Sequence, residues 1–271
     1  ERDASLALRR SDPDAPAIYD THDRIHTLRE EDGIARVIDA WALARADGKT
    51  VLLMAGTNDT VTALNHAAQQ HLLATGELKR SRGLEIGDTT LHVGDRIVTR
   101  QNDRQLTTSR GRSVHNRDEW TIDAISRRGD LTITGPSGRV VLPRAYVDEH
   151  VELAYAQTSH AAQGRTVDHA LLFIDRPTDT AGIYVPMTRG SEANHAYVVT
   201  REHETALDVM ELALAQQWID RPAHVRHAEL NPEPDDLNRL EPLTYLELHQ
   251  TLDRRERAAQ ELFREKEALR R

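Results

Sequence analysis

The chain has 271 residues, with 44 Asp and Glu against 35 Lys and Arg, and no cysteine. Disulfide scaffolds and Cys-ligated zinc are excluded, no apolar run approaches the roughly 18 residues of a membrane span, and a formal charge of −9 argues against a uniformly basic nucleic-acid binder. These features lead to the expectation of a cytoplasmic protein of two domains, and the opening Glu1 to that of a piece of a longer polypeptide.

In chain order, ERDASLALRR at 1–10 reads as a short helix, followed by a Pro-bearing turn. Ile34, Val37, Ile38 and Trp41 share one face of a helix over about 29–46. Gly48 ends it, VLLMA at 51–55 is a short apolar strand, and Val61, Leu64, Ala68 and Leu72 mark a helix over about 59–75. From 91 to 147 the pattern changes to short β-type runs, LHVGDRIVTR, EWTIDAIS, DLTITG and RVVLP, which suggest a small antiparallel barrel. After Val147 an α/β pattern resumes through residue 200, with LLFI and AYVV as apolar strands. A helix over 203–218 follows, with Leu207, Met210, Leu214 and Trp218 inward, then a Pro-rich stretch and a charged helix over about 244–270 with Leu248 and Leu252 on its stripe.

Charge is unevenly spread. Residues 96–144 hold ten Arg and five acidic residues, a local excess of positive charge inside an acidic chain. Scattered surface arginine explains this equally well, because Arg outnumbers Lys 32 to 3 throughout.

Three segments carry candidate chemistry. ADGKTVLL at 46–53 imitates a phosphate-binding loop, but Leu43 stands where its first glycine belongs, and a helix precedes Gly48 while a strand follows. A true loop of that kind has the reverse order. His22 and His26 have helical metal-ligand spacing without the rest of a zinc motif, and no metal site is expected. TSHAAQG at 158–164 places Thr158, Ser159 and His160 as small donors at a strand end, with Gln163 and Gly164 beyond them; a capped helix start is the plain alternative.

The strings AYAQTSHAAQGRTVDHALLFID (154–175) and GIYVPMTRGSEANHAYVVT (182–200) resemble motifs V and VI of superfamily 1 DNA helicases. The branch they resemble is the RecD-like one that includes conjugative relaxase-helicases of the TraA/TrwC type. The resemblance covers about residues 1–200. It implies an α/β fold: a second RecA-like domain with a parallel sheet (1–92 and 145–200, of which 1–28 are a helical lead-in), an inserted Src-homology-3-type β-barrel (93–144) and a C-terminal helical extension (201–271). Thr166 matches the relaxase-type members where other relatives carry Glu, and Ser191 stands where relatives often carry a second basic residue. GDRIVTRQNDRQL (94–106) and VHNRDEWTI (114–122) are similar to the inserted barrel, with Arg117 in place of a turn glycine and Asn116 available for positive φ.

The resemblance further implies roles. Arg189 would be an arginine finger on the γ-phosphate of ATP, with Gln163 and Gly164 at the nucleotide cleft. Thr57, Asn58 and Asn65 of AGTNDTVTALNHAAQ (55–69), together with Thr158, Ser159 and His160, would touch single-stranded DNA; Arg100, Arg104 and Arg117 would grip its phosphates. ATP and Mg2+ would act in a longer parent whose P-loop domain partners this one, translocating 5′ to 3′, with no ATP hydrolysis by this chain alone. The alternative is a non-enzymatic DNA-binding or protein-docking module on an inherited helicase scaffold.

Overall fold

The computed structural model describes residues 2–79 and 83–215. Two short helices, α1 (Arg2–Arg9) and α2 (Ala15–Asp20), lead into a strand the sequence reading lacked, β1 (Ile25–Leu28). Helix α3 (Gly33–Ala46) therefore starts later than its periodicity suggested. IHTL is short and half polar, so only its pairing beside a longer strand declares it. β2 (Val51–Ala55) and α4 (Asn58–Thr75) lie where expected. Gly48, at φ 77, closes α3 in the left-handed conformation that a helix C-terminus favours, so GKT is a helix stop and not a phosphate loop.

A run of short strands follows: β3 (Leu84–Ile86), β4 (Thr89–Leu91), β5 (Arg96–Thr99), β6 (Asp103–Thr107), β7 (Ser113–Val114), β8 (Glu119–Ile125), β9 (Leu131–Gly135) and β10 (Gly138–Leu142). Helix α5 (Arg144–His150) and β11 (Val151–Leu153) lead to β12 (Ala156–Thr158) and β13 (Val167–Ile174). Then come α6 (Thr180–Tyr184), a 3-10 turn (Pro186–Thr188), β14 (Gly190–Val199) and α7 (Ala206–Ala215). Met210 and Leu214 of α7 are buried as anticipated. Trp218, the Pro-rich stretch and the helix expected over about 244–270 lie outside the described residues.

The architecture is α/β. One sheet is wholly parallel, in the order β1-β14-β13-β2-β12. Its central strands are buried on both faces, which is why LLFI and VLLMA read as continuous apolar runs. Leu53, Ala55, Leu171 and Phe173 face α3 and α4, whereas Leu52, Met54, Leu172 and Ile174 face α1, α2, α6 and α7. The second sheet is antiparallel, in the order β10-β9-β8-β5-β11. Its strands alternate, as Trp120 and Ile122 show between exposed Thr121 and Asp123, so one face is buried and the other meets solvent.

Asp95 joins the two parts. It is 0% exposed, and its carboxylate accepts from the Tyr155 hydroxyl (2.5 Å), the Gln69 amide (2.7 Å) and the His92 backbone N–H (2.6 Å). These donors come from the approach to β12, from α4 and from the turn before β5. Burial pushes the Asp95 carboxyl above the usual carboxylate range, and the three donors oppose that rise. Tyr155 also packs edge-on against Trp41, with ring centroids 5.9 Å apart.

One turn differs from the sequence reading. Arg117, and not Asn116, takes positive φ (71°), because its N–H must reach Thr99 O at 2.7 Å while the Asn116 N–H bonds the Asn102 side chain at 2.8 Å.

Asp95→Ala should strand three buried donors and lower the unfolding free energy by about 3 kcal/mol, against about 1 to 2 kcal/mol for Tyr155→Phe. Urea unfolding of both variants checks the ranking.

Candidate functional site

Every strand of the parallel sheet runs the same way, so the candidates at its strand ends fall at one of two edges. At the carboxyl edge, β2 ends at Ala55 and β12 at Thr158, and the two residues are register partners. Thr57 caps α4, its Oγ1 accepting from Thr60 N at 3.2 Å, and Thr60 Oγ1 donates to Asp175 at 2.7 Å beyond the end of β13. This cap leaves Asn58 exposed at the positive end of an 18-residue helix. Thr158 Oγ1 accepts from Ala161 N at 3.2 Å. Ser159 is buried, and both its N–H (3.0 Å) and its hydroxyl (3.3 Å) donate to Ala55 O. His160 projects into solvent. Thr57, Asn58, Thr158, Ser159 and His160 are thus brought together. Thr158 and Ser159 open a turn and not a helix, and Thr158 makes in that turn the capping bond that the plain alternative expected.

Arg189 stands at the opposite edge. It follows the 3-10 turn and immediately precedes β14, whose Gly190 pairs with Val167 at the start of β13. Its half-buried guanidinium donates to Val185 O (Nε, 2.9 Å), Thr188 Oγ1 (Nη2, 2.9 Å) and Arg165 O (Nη1, 3.4 Å). Along β13 the two edges are about 20 Å apart at some 3.3 Å per residue. Residues 159–166 cross that distance in one stretch, pinned midway by Ala162, which is 0% exposed in the core beneath α1 and α6. Gln163 and Gly164 (φ 83) are exposed on this crossing, nearer Arg189.

The remaining candidates divide. Asn58, Asn65 and Arg100 line one cleft of about 310 Å³ between α4, the β3–β4 hairpin and β11, together with His66 and Glu152. Asn65 stands apart in its chemistry: it is 5% exposed, and its side-chain oxygen accepts from Tyr155 N (2.7 Å) and Ala156 N (2.8 Å), which pegs β12 to α4. Arg100 is ion-paired with Glu152, its Nε donating at 2.7 Å. Arg104 is exposed on β6 and borders neither edge. Arg117 lies elsewhere, in a pocket of about 320 Å³ with Arg112 and Arg165. Sequence reasoning missed Arg165, whose guanidinium forms a two-pronged pair with Glu119 of β8. Its signal was its place directly after Gln163 and Gly164.

The amino edge also holds the GKT residues. Lys49 Nζ bonds Glu192 at 2.6 Å, and the Thr50 N–H (2.8 Å) and hydroxyl (2.7 Å) both donate to Asp168. Those bonds hold the Lys49 amine above and the Asp168 carboxyl below their ordinary ranges. Lys49 is therefore committed to a neighbouring acid, and the segment does not fit a nucleotide phosphate. Among the described residues, no group of three His, Cys, Asp or Glu side chains is placed to hold a metal ion.

A polar row lies on the α3 face of the sheet, where β1 meets the middle of β14. Arg24 Nη1 donates to His195 Nε2 (2.8 Å), so the His195 proton sits on Nδ1 and is donated to His26 Nε2 at 2.9 Å. His26 stacks on Tyr197 with centroids 4.5 Å apart. Burial, with Arg24, His26 and His169 nearby, pushes His195 down to about 4.

No model of a protein family matches the chain. It is 29% identical over 203 residues to the conjugal transfer protein TraA of Agrobacterium fabrum, covering 72% of this chain and 18% of that protein. Against the multifunctional conjugation protein TraI of Escherichia coli it is 25% identical over 240 residues, 85% of this chain and 11% of TraI. The chain therefore spans less than a fifth of the length of these relatives. It is also 29% identical over 124 residues to an uncharacterized protein of Mycobacterium tuberculosis, covering 45% of this chain and 71% of that one. Among solved structures, Bacteroides Pif1 bound to single-stranded DNA aligns with a TM-score of 0.38 at 15% identity, over 66% of this chain and 45% of that one.

The His195 pKa lies below its unfolded value, so the unfolded chain binds the extra proton as pH falls. Stability should be complete above about pH 6.5 and decline by about 2 kcal/mol, allowing for solvent screening, by about pH 4. In His195→Gln, which keeps one acceptor and one donor, urea midpoints at pH 7 and pH 5 should lie closer together than in the wild type.

Proposed function

We propose that the chain is the second RecA-like domain of a RecD-like superfamily 1 DNA helicase, a motor serving conjugative DNA transfer. The observation that carries this reading is the division of its candidate residues between two edges of one parallel sheet. Hydroxyls and a helix N-terminus sit at the carboxyl edge, where α/β sheets bind ligands; a guanidinium sits at the amino edge; residues 159–166 run from one to the other. The sequence similarity to conjugal transfer proteins supports the biological setting. The motifs quoted above support the motor.

In this reading Thr57, Asn58, Thr158 and His160 hold the backbone of single-stranded DNA, and the cleft beside Arg100 continues the track. Arg189 acts in the longer protein as an arginine finger on ATP bound, with Mg2+, by a P-loop domain outside this chain. Its present acceptors are two neutral carbonyls and a hydroxyl, which an anionic γ-phosphate outcompetes. A planar guanidinium then neutralises charge on the transferring phosphoryl oxygens. The antiparallel sheet serves as an inserted Src-homology-3-type barrel beside the strand.

The alternative is a DNA-binding or docking module on an inherited scaffold. It is favoured by the same three internal bonds of Arg189, which suit a purely structural residue. The two readings separate by substitution in the longer protein. Arg189→Ala should cut ATP turnover by about 10³-fold or more, the scale of a lost arginine finger, while DNA affinity without nucleotide stays near wild type. Turnover within a few-fold of wild type would leave Arg189 a structural residue. The 271-residue chain by itself should show no DNA-stimulated ATP hydrolysis in a phosphate-release assay.

A further inference from the structure

The sheet is irregular immediately after Arg189. Val167 of β13 pairs with Gly190 of β14, but His169 pairs with Ala193, so Ser191 and Glu192 together oppose Asp168. This is a β-bulge, a device that re-aims the chain and is over-represented beside active sites. Asn194, only 3% exposed, closes it. Its Oδ1 accepts from the Gly190 N–H at 2.7 Å, and its Nδ2 donates to Gly190 O at 2.9 Å. One side chain thus holds both backbone polar groups of the residue next to Arg189.

The bulge leaves Gly190 no slack. A Cβ there would come within 2.0 Å of Ala193 O and 3.0 Å of Ala170 N, so space alone requires glycine. The Val167 N–H donates to Arg189 O at 3.0 Å, and Ser191 Oγ donates to Val167 O at 3.0 Å. On the other side, the Arg189 N–H donates to Pro186 O at 3.1 Å, and the Tyr19 hydroxyl donates to Met187 O at 3.4 Å. These bonds hold the backbone on both sides of Arg189. They persist when its guanidinium leaves Val185 O, Thr188 Oγ1 and Arg165 O for another acceptor.

Asn194 stands opposite Ala170 in the register, on the sheet face that α6 and the 3-10 turn cover. Buried there, it touches no ligand, and its two bonds to Gly190 offset the cost of taking an amide out of water. We propose that Asn194 is a positioning residue for Arg189. Resting on the arginine-finger reading above, it fixes the Cα from which the guanidinium reaches the γ-phosphate. A misplacement of about 1 Å at a reacting centre costs roughly 10²-fold in rate.

The test measures ATP turnover of the longer protein with saturating oligo-dT. Wild type is compared with Asn194→Ala, Arg189→Ala, the double variant and Ser191→Ala. Asn194→Ala should lower kcat about 10²-fold and leave KM for ATP within a few-fold. Because it acts through Arg189, it should cost nothing further in the Arg189→Ala background. Ser191→Ala, which removes the other side-chain bond of the bulge, should follow the wild type. Turnover is counted per molecule that binds a fluorescent non-hydrolysable ATP analogue, with thermal midpoints recorded, so a folding loss drops out. Corrected turnover of Asn194→Ala within a few-fold of wild type would overturn the proposal and leave Asn194 a purely structural residue. An equal fold loss in both backgrounds would overturn it too. If Arg189→Ala itself keeps wild-type turnover, the finger reading falls and the positioning role with it. A motor that needs Arg189 and ignores Asn194 sinks the positioning role alone.

Discussion

The parallel sheet and the five-stranded antiparallel sheet meet at a buried carboxylate. Asp95 takes its donors from α4, from the turn before β5 and from the approach to β12. It therefore fixes where β12 starts, and β12 carries Thr158 and Ser159 to the carboxyl edge. Asn65 completes the joint by accepting the Tyr155 and Ala156 N–H groups. Without these bonds the edge strand β12, only three residues long, would have little besides β2 to align it. The placement of the candidate site thus depends on polar groups that never meet solvent.

From that fixed start, the geometry of a parallel sheet dictates the rest. A chain leaving β12 at the carboxyl edge must return to the amino edge to enter β13, and here it does so without a helix. Residues 159–166 therefore touch both edges: Ser159 holds Ala55 O, and the Arg165 carbonyl receives Arg189. The Arg165 guanidinium extends the link to β8 of the antiparallel sheet.

Much of this was legible in the sequence, for physical reasons. VLLMA, LLFI and AYVV are apolar on both faces because both faces are covered, and the α4 stripe has helical period. The edge residues were legible as Thr, Asn and Gly clusters beside those strands. What was illegible depends on distant partners. IHTL is a strand only because β14 lies beside it, and Asn65, expected to touch DNA, shows its bonds only once the backbone of 155–156 comes to meet it. The positive φ fell on Arg117 and not on Asn116, because the Thr99 carbonyl and the Asn102 side chain choose between them. Arg165 needed the fold to bring Glu119 across a gap of 46 residues.

The central claim is that one sheet carries a strand site and a nucleotide site at opposite edges. Hydrogen–deuterium exchange of the longer protein, with oligo-dT and then with a non-hydrolysable ATP analogue, tests it most directly. The account predicts that oligo-dT protects the amides of residues 57–60 and 159–161, and that nucleotide adds protection at 163–166 and 188–190. Protection of both sets by nucleotide alone, with the carboxyl edge indifferent to oligo-dT, would contradict it.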